Sequence, residues 1–143
     1  MRTEIDCPAS PGAYLLVIDL DRPLTFPIAG GRIAALPPGR YAYCGSARGL
    51  GGLAARVARH LRHDKLAHWH VDHLTRAGRI VAVGILSDGR ECALFDAVSQ
   101  LSGAEIPVPG LGSSDCARCA AHLAAGGPAF LPRAIGLTDA LAA

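Results

Sequence analysis

Residues 40–74 read RYAYCGSARGLGGLAARVARHLRHDKLAHWHVDHL, and the stretch changes character twice. It opens as an alternating strand, RYAYCGSA, breaks at a run of glycines, RGLGG, and continues with helical periodicity as LAARVARHLRH. Apolar residues four apart predict the buried stripe of this helix: Leu53, Val57 and Leu61. Arg56 and His60 are also four apart, so they share a neighbouring face. The stretch therefore predicts a strand, a glycine-rich connection and a cationic helix.

Charge is concentrated in the same part of the chain. Residues 40–79 hold eight Lys and Arg against two acidic residues, a net charge of +6, and five of the six histidines. The whole chain carries only +2, so the remainder is acidic. Such an asymmetry favours a site that holds phosphate, and the alternative is a solvated helix face.

The remaining bulk features define a small single domain. The chain has 143 residues, of which 50% are hydrophobic and 5% aromatic, enough for one core built mainly from aliphatic side chains. The N-terminus MRTEIDCPASPG has no apolar segment typical of a signal peptide, and no run approaches the roughly 20 apolar residues that span a bilayer. Five cysteines without an export signal favour a reducing compartment, so we expect a cytoplasmic protein with no membrane partner.

The order of predicted elements is strand, hairpin, strand, helix, helix, strand, helix. This order indicates an α+β fold with a central, mainly antiparallel sheet flanked by helices. We expect one domain over residues 1–127 with an inserted hairpin at about 23–38, and a loosely attached C-terminal tail over 128–143. A short alanine-rich helix is predicted within SSDCARCAAHLAAGG.

Two tripeptides resemble the halves of the GIY-YIG nuclease motif: GAY at Gly12–Tyr14 and YCG at Tyr43–Gly45. The segments YCGSARGLGGLAARVARHLR, HWHVDHL, EC and GSSDC resemble, more narrowly, the GIY-YIG-like branch known as domain of unknown function one-two-three. That domain occurs alone or fused to endonuclease III-type glycosylases, and the resemblance covers about residues 11–123. The two tripeptides are farther apart than in the usual superfamily hairpin. Cys116 and Cys119 have two residues between them, where the branch more often has one.

The resemblance implies a metal-dependent endonuclease. By analogy Tyr14 is the better candidate for the general base, Tyr43 reaches the same site, and Glu91 binds a single Mg²⁺ or Mn²⁺. Arg56 would grip the scissile phosphate with its planar guanidinium, and His60 would donate to the phosphate or assist the tyrosine.

The residues themselves support these roles and leave alternatives open. Glu91 shares a helix face with apolar residues, and an inward carboxylate is costly unless it holds a cation. The alternative for Glu91 is a first-turn acid favoured by the helix dipole. Either tyrosine could instead be a core ring, and a phenol needs neighbouring positive charge to act as a base near neutral pH.

Six further residues are candidates for substrate binding: Gly45, Ser46, Arg48, Arg59, His68 and His70. Glycines allow close backbone approach to a ligand, and arginines could contact flanking phosphates or simply be solvated. Trp69, the only tryptophan, could stack on a base, but we favour a place in the core.

Thiols and a histidine near the C-terminus form a second candidate site, for zinc: Cys92, Cys116, Cys119 and His122. Zinc sites use four nitrogen or sulfur ligands, although the usual ligand pairs are farther apart in sequence. The alternatives are a redox pair or buried small thiols beside a short helix that Ser114 or Asp115 caps.

The leading interpretation is thus a nuclease that hydrolyses DNA phosphodiester bonds in repair or processing, with a structure-specific DNA substrate and a repair protein as its expected partners. One alternative is a catalytically silent nucleic-acid-binding module that keeps the cationic helix. Another is a zinc-organised interaction domain.

Overall fold

The central sheet is built around its first strand, a run of apolar residues with one acid near its end. The computed structural model describes residues 6–67, 69–111, 119 and 121–141. The strands of the described residues are β1 (Gly12–Leu20), β2 (Leu24–Ile28), β3 (Arg32–Leu36), β4 (Gly39–Ala47), β5 (Arg79–Ser87) and β6 (Leu123–Gly126). The α-helices are α1 (Gly52–Leu61), α2 (His70–Ala77) and α3 (Glu91–Ser99). Single turns of 3-10 helix lie at Ala29–Gly31 and Pro132–Ile135.

Four of these strands form the main sheet in the order β5-β1-β4-β6, and every neighbouring pair is antiparallel. Helices flank both faces, which confirms the predicted α+β class. Because both faces of β1 are covered, nearly all of its side chains are buried, and the strand is continuously apolar rather than alternating.

The stretch between β1 and β4 forms a separate two-stranded sheet in which β2 pairs with β3. The predicted hairpin over about residues 23–38 is therefore present as a structural unit. Pro27 lies in β2, where its missing N–H removes a donor from a short, exposed strand. Phe26, Ala34 and Leu36 face the same core as α1 and α2, so the hairpin extends that core.

Helix α1 begins at two glycines with left-handed backbone. Gly51 has φ 82° and Gly52 has φ 58°, a region that side chains other than glycine rarely adopt. A Cβ on Gly52 would also meet the carbonyl oxygens of Ala9 and Ser10. The glycine run thus sets the direction of α1. From there Leu53 and Val57 reach the core as predicted, and Leu61 is half-buried.

Helix α3 covers the opposite face of the sheet. Its apolar residues Leu94, Phe95 and Val98 pack with Leu15, Val17, Ala42 and Cys44 in a second core. The strand alternation sends Tyr14 and Leu16 of β1 to the α1 face and Leu15 and Val17 to the α3 face. The molecule therefore has two chemically distinct faces that share one sheet.

The C-terminal part of the chain differs from the expectation. The predicted alanine-rich helix is wrong for its last residues, since Leu123–Gly126 pair with β4 as a strand; residues 112–118 and 120 lie outside the described part. Residues 128–141 are also packed rather than loosely attached. Phe130 is 1% exposed, and the N–H of Ala140 donates to the carbonyl of Val83 over 2.7 Å.

Helices in the described part of the chain are too short and too polar to cross a membrane.

Candidate active site

Two tyrosines on neighbouring strands form the centre of the candidate site. The register of β1 with β4 places Tyr14 opposite Gly45 and Leu16 opposite Tyr43, so both tyrosines lie on the α1 face. Their ring centroids are 6.2 Å apart. The structure therefore brings together the two tripeptides singled out in the sequence.

The glycine of the second tripeptide is required by the tyrosine of the first. The Tyr14 ring crosses directly over Gly45 on the adjacent strand. A Cβ on Gly45 would meet the Tyr14 hydroxyl and ring, and it would also lie 2.8 Å from Cε2 of Tyr43. Because real Cβ contacts are longer than this, only glycine allows both rings to keep their positions.

His60 joins the tyrosine pair from helix α1. Its Nε2 lies 2.7 Å from the Tyr14 hydroxyl, and both side chains are 1% exposed. Burial, followed by the positive charge of Lys65, lowers the pKa of His60 to about 3, while Asp72 acts in the opposite direction. The imidazole is therefore neutral near neutral pH.

The other ring nitrogen of His60 identifies the tautomer. Nδ1 is buried without a hydrogen-bond partner among the described residues, and it lies 4.0 Å from a carboxylate oxygen of Asp72. A proton on Nδ1 faces that carboxylate favourably, whereas a lone pair would face it unfavourably. We therefore assign the proton to Nδ1, which leaves Nε2 to accept the hydrogen bond that the Tyr14 hydroxyl donates.

Both phenols are less acidic than free tyrosine. Burial raises the pKa of Tyr14 well above its ordinary value, with a further contribution from Tyr43, and Arg56 only partly opposes this. Burial also raises the pKa of Tyr43 to about 12. The sequence suggested that Arg56 could help a phenol to act as a base; in this buried cluster the effect of burial is larger.

Arg56 closes the cluster on its outer side. Its Nη1 donates to the carbonyl of Ser46 over 3.0 Å, and its guanidinium lies 4.5 Å from the centroid of the Trp69 ring. Arg59 contacts the same ring at 4.4 Å. Trp69 is half-buried against the α1-face core, which agrees with the core position favoured from the sequence.

Arg59 and Asp72 tie helix α1 to helix α2. The Arg59 guanidinium donates to both carboxylate oxygens of Asp72, over 2.8 Å and 3.0 Å. Asp72 is fully buried and also accepts from the backbone N–H of Trp69 over 2.9 Å. Arg59 was predicted to bind substrate, but its guanidinium is engaged within the protein.

Asp72 was not among the candidate site residues predicted from the sequence. Its signal was an acid at the third position of a short helix, where a carboxylate commonly accepts from the N-cap backbone. The contact with Arg59 could not be found in this way, because it joins two helices across a loop.

Glu91 lies at the same end of the sheet as the tyrosines but on the other side of it. It begins α3, and it is one of the groups that raise the pKa of the buried Cys44 thiol, after burial itself and Cys119. The N–H of Asp88, three residues before Glu91, donates to the carbonyl of Pro11, so the start of α3 lies near the start of β1. The described structure thus brings Tyr14, Tyr43, Arg56 and His60 into one cluster, and places Glu91 at the start of α3, near the beginning of β1.

Glu91 is the candidate ligand for a divalent ion. Mg²⁺ commonly keeps several waters and is held by one or two carboxylates together with substrate phosphates, so a half-buried Glu91 fits that requirement. In the described residues, Glu91 belongs to no group of three neighbouring His, Cys, Asp or Glu ligands.

The other predicted substrate contacts are dispersed around the cluster. Arg48, half-exposed, follows β4 and donates to the carbonyl of Gly89. Ser46 offers its carbonyl to Arg56. His70 begins α2 and lines a narrow apolar pocket beside Tyr43, whereas His68 lies outside the described residues.

On the α3 face, Cys92, Cys119 and His122 form a cluster that could hold a metal ion. Their ligand atoms all lie within 4.8 Å of one another, and Sγ of Cys92 is 3.8 Å from Nε2 of His122. These are three of the four residues predicted for a zinc site, and the fourth, Cys116, lies outside the described part of the chain.

Comparison with known proteins gives one family. No curated protein and no solved structure matched the chain significantly. The family model described as "Domain of unknown function DUF123" matches residues 13–134, which include β1 to β6, the tyrosine cluster and the cysteine–histidine cluster. The chain therefore belongs to the DUF123 family.

Proposed function

We propose that this protein is a metal-dependent endonuclease of the GIY-YIG type that hydrolyses DNA phosphodiester bonds. The observation that carries the proposal is the buried cluster of Tyr14, Tyr43, His60 and Arg56 on one face of the sheet. These are four of the five side chains that the superfamily motif implies, and they come from two strands and a helix. A purely structural core would not need a phenol, an imidazole and a guanidinium in contact.

Tyr14 and His60 form a path for a proton. The attacking water gives its proton to the Tyr14 oxygen while the Tyr14 hydroxyl proton moves to Nε2 of His60, so that neither a free phenolate nor hydroxide is formed. The resulting imidazolium is opposed by the burial that lowers the pKa of His60 to about 3, so the transfer depends on the Asp72 carboxylate, 4.0 Å away, and on the negative charge of the bound phosphate to raise that pKa. The raised pKa of Tyr14 favours such a concerted transfer over prior loss of the phenolic proton.

Arg56 would bind the phosphate that is cut. Its planar guanidinium suits two phosphate oxygens, and an arginine that stabilises developing negative charge is a common device in phosphoryl transfer. Tyr14 is 1% exposed and Tyr43 is 9% exposed, so both side chains are largely covered without substrate. Phosphate binding therefore requires Arg56 to exchange its contact with the Ser46 carbonyl for the phosphate, which opens the outer side of the cluster.

The divalent ion proposed for this reaction is Mg²⁺ or Mn²⁺, held by Glu91 together with substrate oxygens. When bound, it would neutralise charge on the phosphate and on the leaving oxygen. Zinc is the ion proposed for the separate cysteine–histidine cluster. Branched or damaged DNA is the substrate class we infer, with repair or processing as the setting and a repair protein as a candidate partner.

The test is cleavage of labelled duplex, flap and branched DNA with Mg²⁺ or Mn²⁺, comparing the wild type with Glu91→Gln. Removing the carboxylate should reduce cleavage by about 100-fold or more while DNA binding persists. Glu105→Gln is the matched control, because Glu105 is an exposed carboxylate beside β6. This variant should cleave DNA at the wild-type rate. Equal rates for wild type and Glu91→Gln would remove Glu91 as the metal ligand.

A silent DNA-binding module is the second candidate, favoured by the burial of both tyrosine side chains. It predicts binding that weakens steeply with salt and no cleavage of any substrate. The zinc-organised interaction domain is the third candidate, favoured by the cysteine–histidine cluster. It predicts bound zinc without DNA affinity.

A further inference from the structure

Cys92, Cys119 and His122 converge on the face of the sheet opposite the tyrosines. Cys92 is the second residue of α3, and His122 directly precedes β6. Cys119 lies three residues before His122 in the same segment of the chain. The cluster therefore joins a helix to the chain that enters the edge strand.

The backbone holds His122 in place from both sides. Its N–H donates to the carbonyl of Leu111 over 3.1 Å, and its carbonyl accepts from the N–H of Cys44 over 2.9 Å. The imidazole is buried, at 4% exposure, and lies 6.0 Å from the Phe95 ring. A ligand fixed by strand and helix packing is prearranged, so little conformational freedom would be lost on binding a metal.

One separation among the three ligand atoms, which all lie within 4.8 Å of one another, is close to that of a zinc site. A tetrahedral zinc ion has Zn–S distances of about 2.3 Å and Zn–N distances of about 2.0–2.1 Å, which place its ligand atoms roughly 3.5–3.8 Å apart. The observed 3.8 Å between Cys92 Sγ and His122 Nε2 agrees with this spacing. A weak hydrogen bond between the thiol and the imidazole would have the same length. The choice between that bond and a shared metal ion therefore rests on the chemistry of the three ligands.

Two thiols and an imidazole are soft and borderline donors. They select zinc over the hard ions Mg²⁺ and Mn²⁺, which prefer carboxylate oxygen. The donor set therefore favours zinc at this cluster.

We propose that Cys92, Cys119 and His122 bind one zinc ion that fastens the segment before β6 to the first turn of α3. The three ligands lie on the α3 face, opposite the tyrosine cluster, and the proposal does not depend on the proposed nuclease activity. The three described residues supply three of the four ligands that a structural zinc site takes.

The experiment is zinc analysis of protein purified with a reducing agent and without chelator. We expect about one zinc per chain in the wild type and in Cys7→Ser, the matched control, because Cys7 packs against the other core. Cys119→Ser and Cys92→Ser should lose the metal. Zinc retained in both variants, or absent from wild-type protein refolded with zinc, would overturn the proposal.

A second measurement uses the wild type alone, so that it does not depend on whether a variant folds. A ligand that binds only the folded state raises the melting temperature. Chelation should therefore lower the melting temperature by about 5 °C or more, and Zn²⁺, but not Mg²⁺, should restore it. A melting temperature unaffected by chelator and by added zinc would contradict a structural ion, whatever the DNA cleavage assay gives.

Discussion

The hydroxyl of Tyr14 shows how much one side chain depends on its neighbours. Gly45 leaves room for its ring, His60 accepts its hydrogen bond, and Arg56 supplies the nearest positive charge. Sequence alone suggested all four residues by resemblance and spacing. The short Tyr14–His60 contact joins residues 46 positions apart, and it exists only because α1 packs across β1 and β4.

A prediction at the residue scale concerns pH. The pKa of His60 falls from 6.5 to about 3 on folding, so the unfolded chain binds the proton more readily in that interval. Stability should therefore be unaffected by this group above pH 6.5 and should decline as the pH falls from 6.5 towards 3. We expect His60→Gln to lose this part of the dependence in urea unfolding measured at several pH values.

His63→Gln is the control, because His63 is an exposed histidine close to His60 in sequence and its replacement leaves the buried cluster intact. Asp19 contributes in a lower interval. Its hydrogen bond with Arg40 lowers the pKa of the carboxyl below its ordinary value, so that contribution disappears only at more acidic pH. A His60→Gln profile that coincides with the wild type between pH 4 and 6.5 would contradict the burial of a neutral imidazole.

Helices α1 and α2 are held together by polar contacts as well as by their apolar faces. Arg59 on α1 and Asp72 on α2 form a two-point ion pair, and the Nζ of Lys65 donates to the carbonyl of His60 over 2.7 Å near the end of α1. A cation at the last carbonyls stabilises the end of a helix. The loop between the helices is thereby fixed at both of its ends.

At the scale of these elements, Asp72→Asn should destabilise the protein by roughly 3 kcal/mol, because it leaves Arg59 without its buried charge partner. The measurement is the free energy of unfolding in urea. Asp64→Asn is the control, since Asp64 is exposed between the same two helices and its replacement should change stability by less than about 0.5 kcal/mol. Equal stability of the two variants would show that the ion pair does not tie α1 to α2.

On the scale of the molecule, the sheet separates two chemistries. The face under α1 and α2 carries the tyrosine cluster, and the face under α3 carries the cysteine–histidine cluster. The C-terminal segment completes the second face, because the Phe130 ring packs over Gly126 at the edge strand. The segment thus belongs to the packed structure that supports α3.

Phe130→Ala should accordingly cost about 3–5 kcal/mol of stability, the usual range for removing a buried phenylalanine. Thermal or urea unfolding measures this loss. Leu66→Ala is the comparison, because Leu66 is 89% exposed and its truncation creates no cavity. A loss for Phe130→Ala no larger than that for Leu66→Ala would mean that residues 128–141 do not contribute to the core.

Local features of the sequence were sufficient to predict most elements. Apolar runs predicted β1 and β5, helical spacing predicted α1 and α3, and the glycines at 51 and 52 predicted the break before α1. The prediction failed between residues 121 and 126. An alanine-rich segment has high helix propensity, but the open edge of β4 offered backbone hydrogen bonds that a strand could satisfy.

The sequence by itself determined which chemical groups this protein carries and which strands and helices present them, because periodicity and glycine placement act over a few residues. Only the tertiary structure decided which groups meet. The register of β1 with β4 placed Tyr14 over Gly45, and helix packing brought Asp72 to Arg59 and Cys92 to His122, 30 residues away. These contacts depend on the burial of two apolar faces against one sheet, and that free energy is a property of the whole chain.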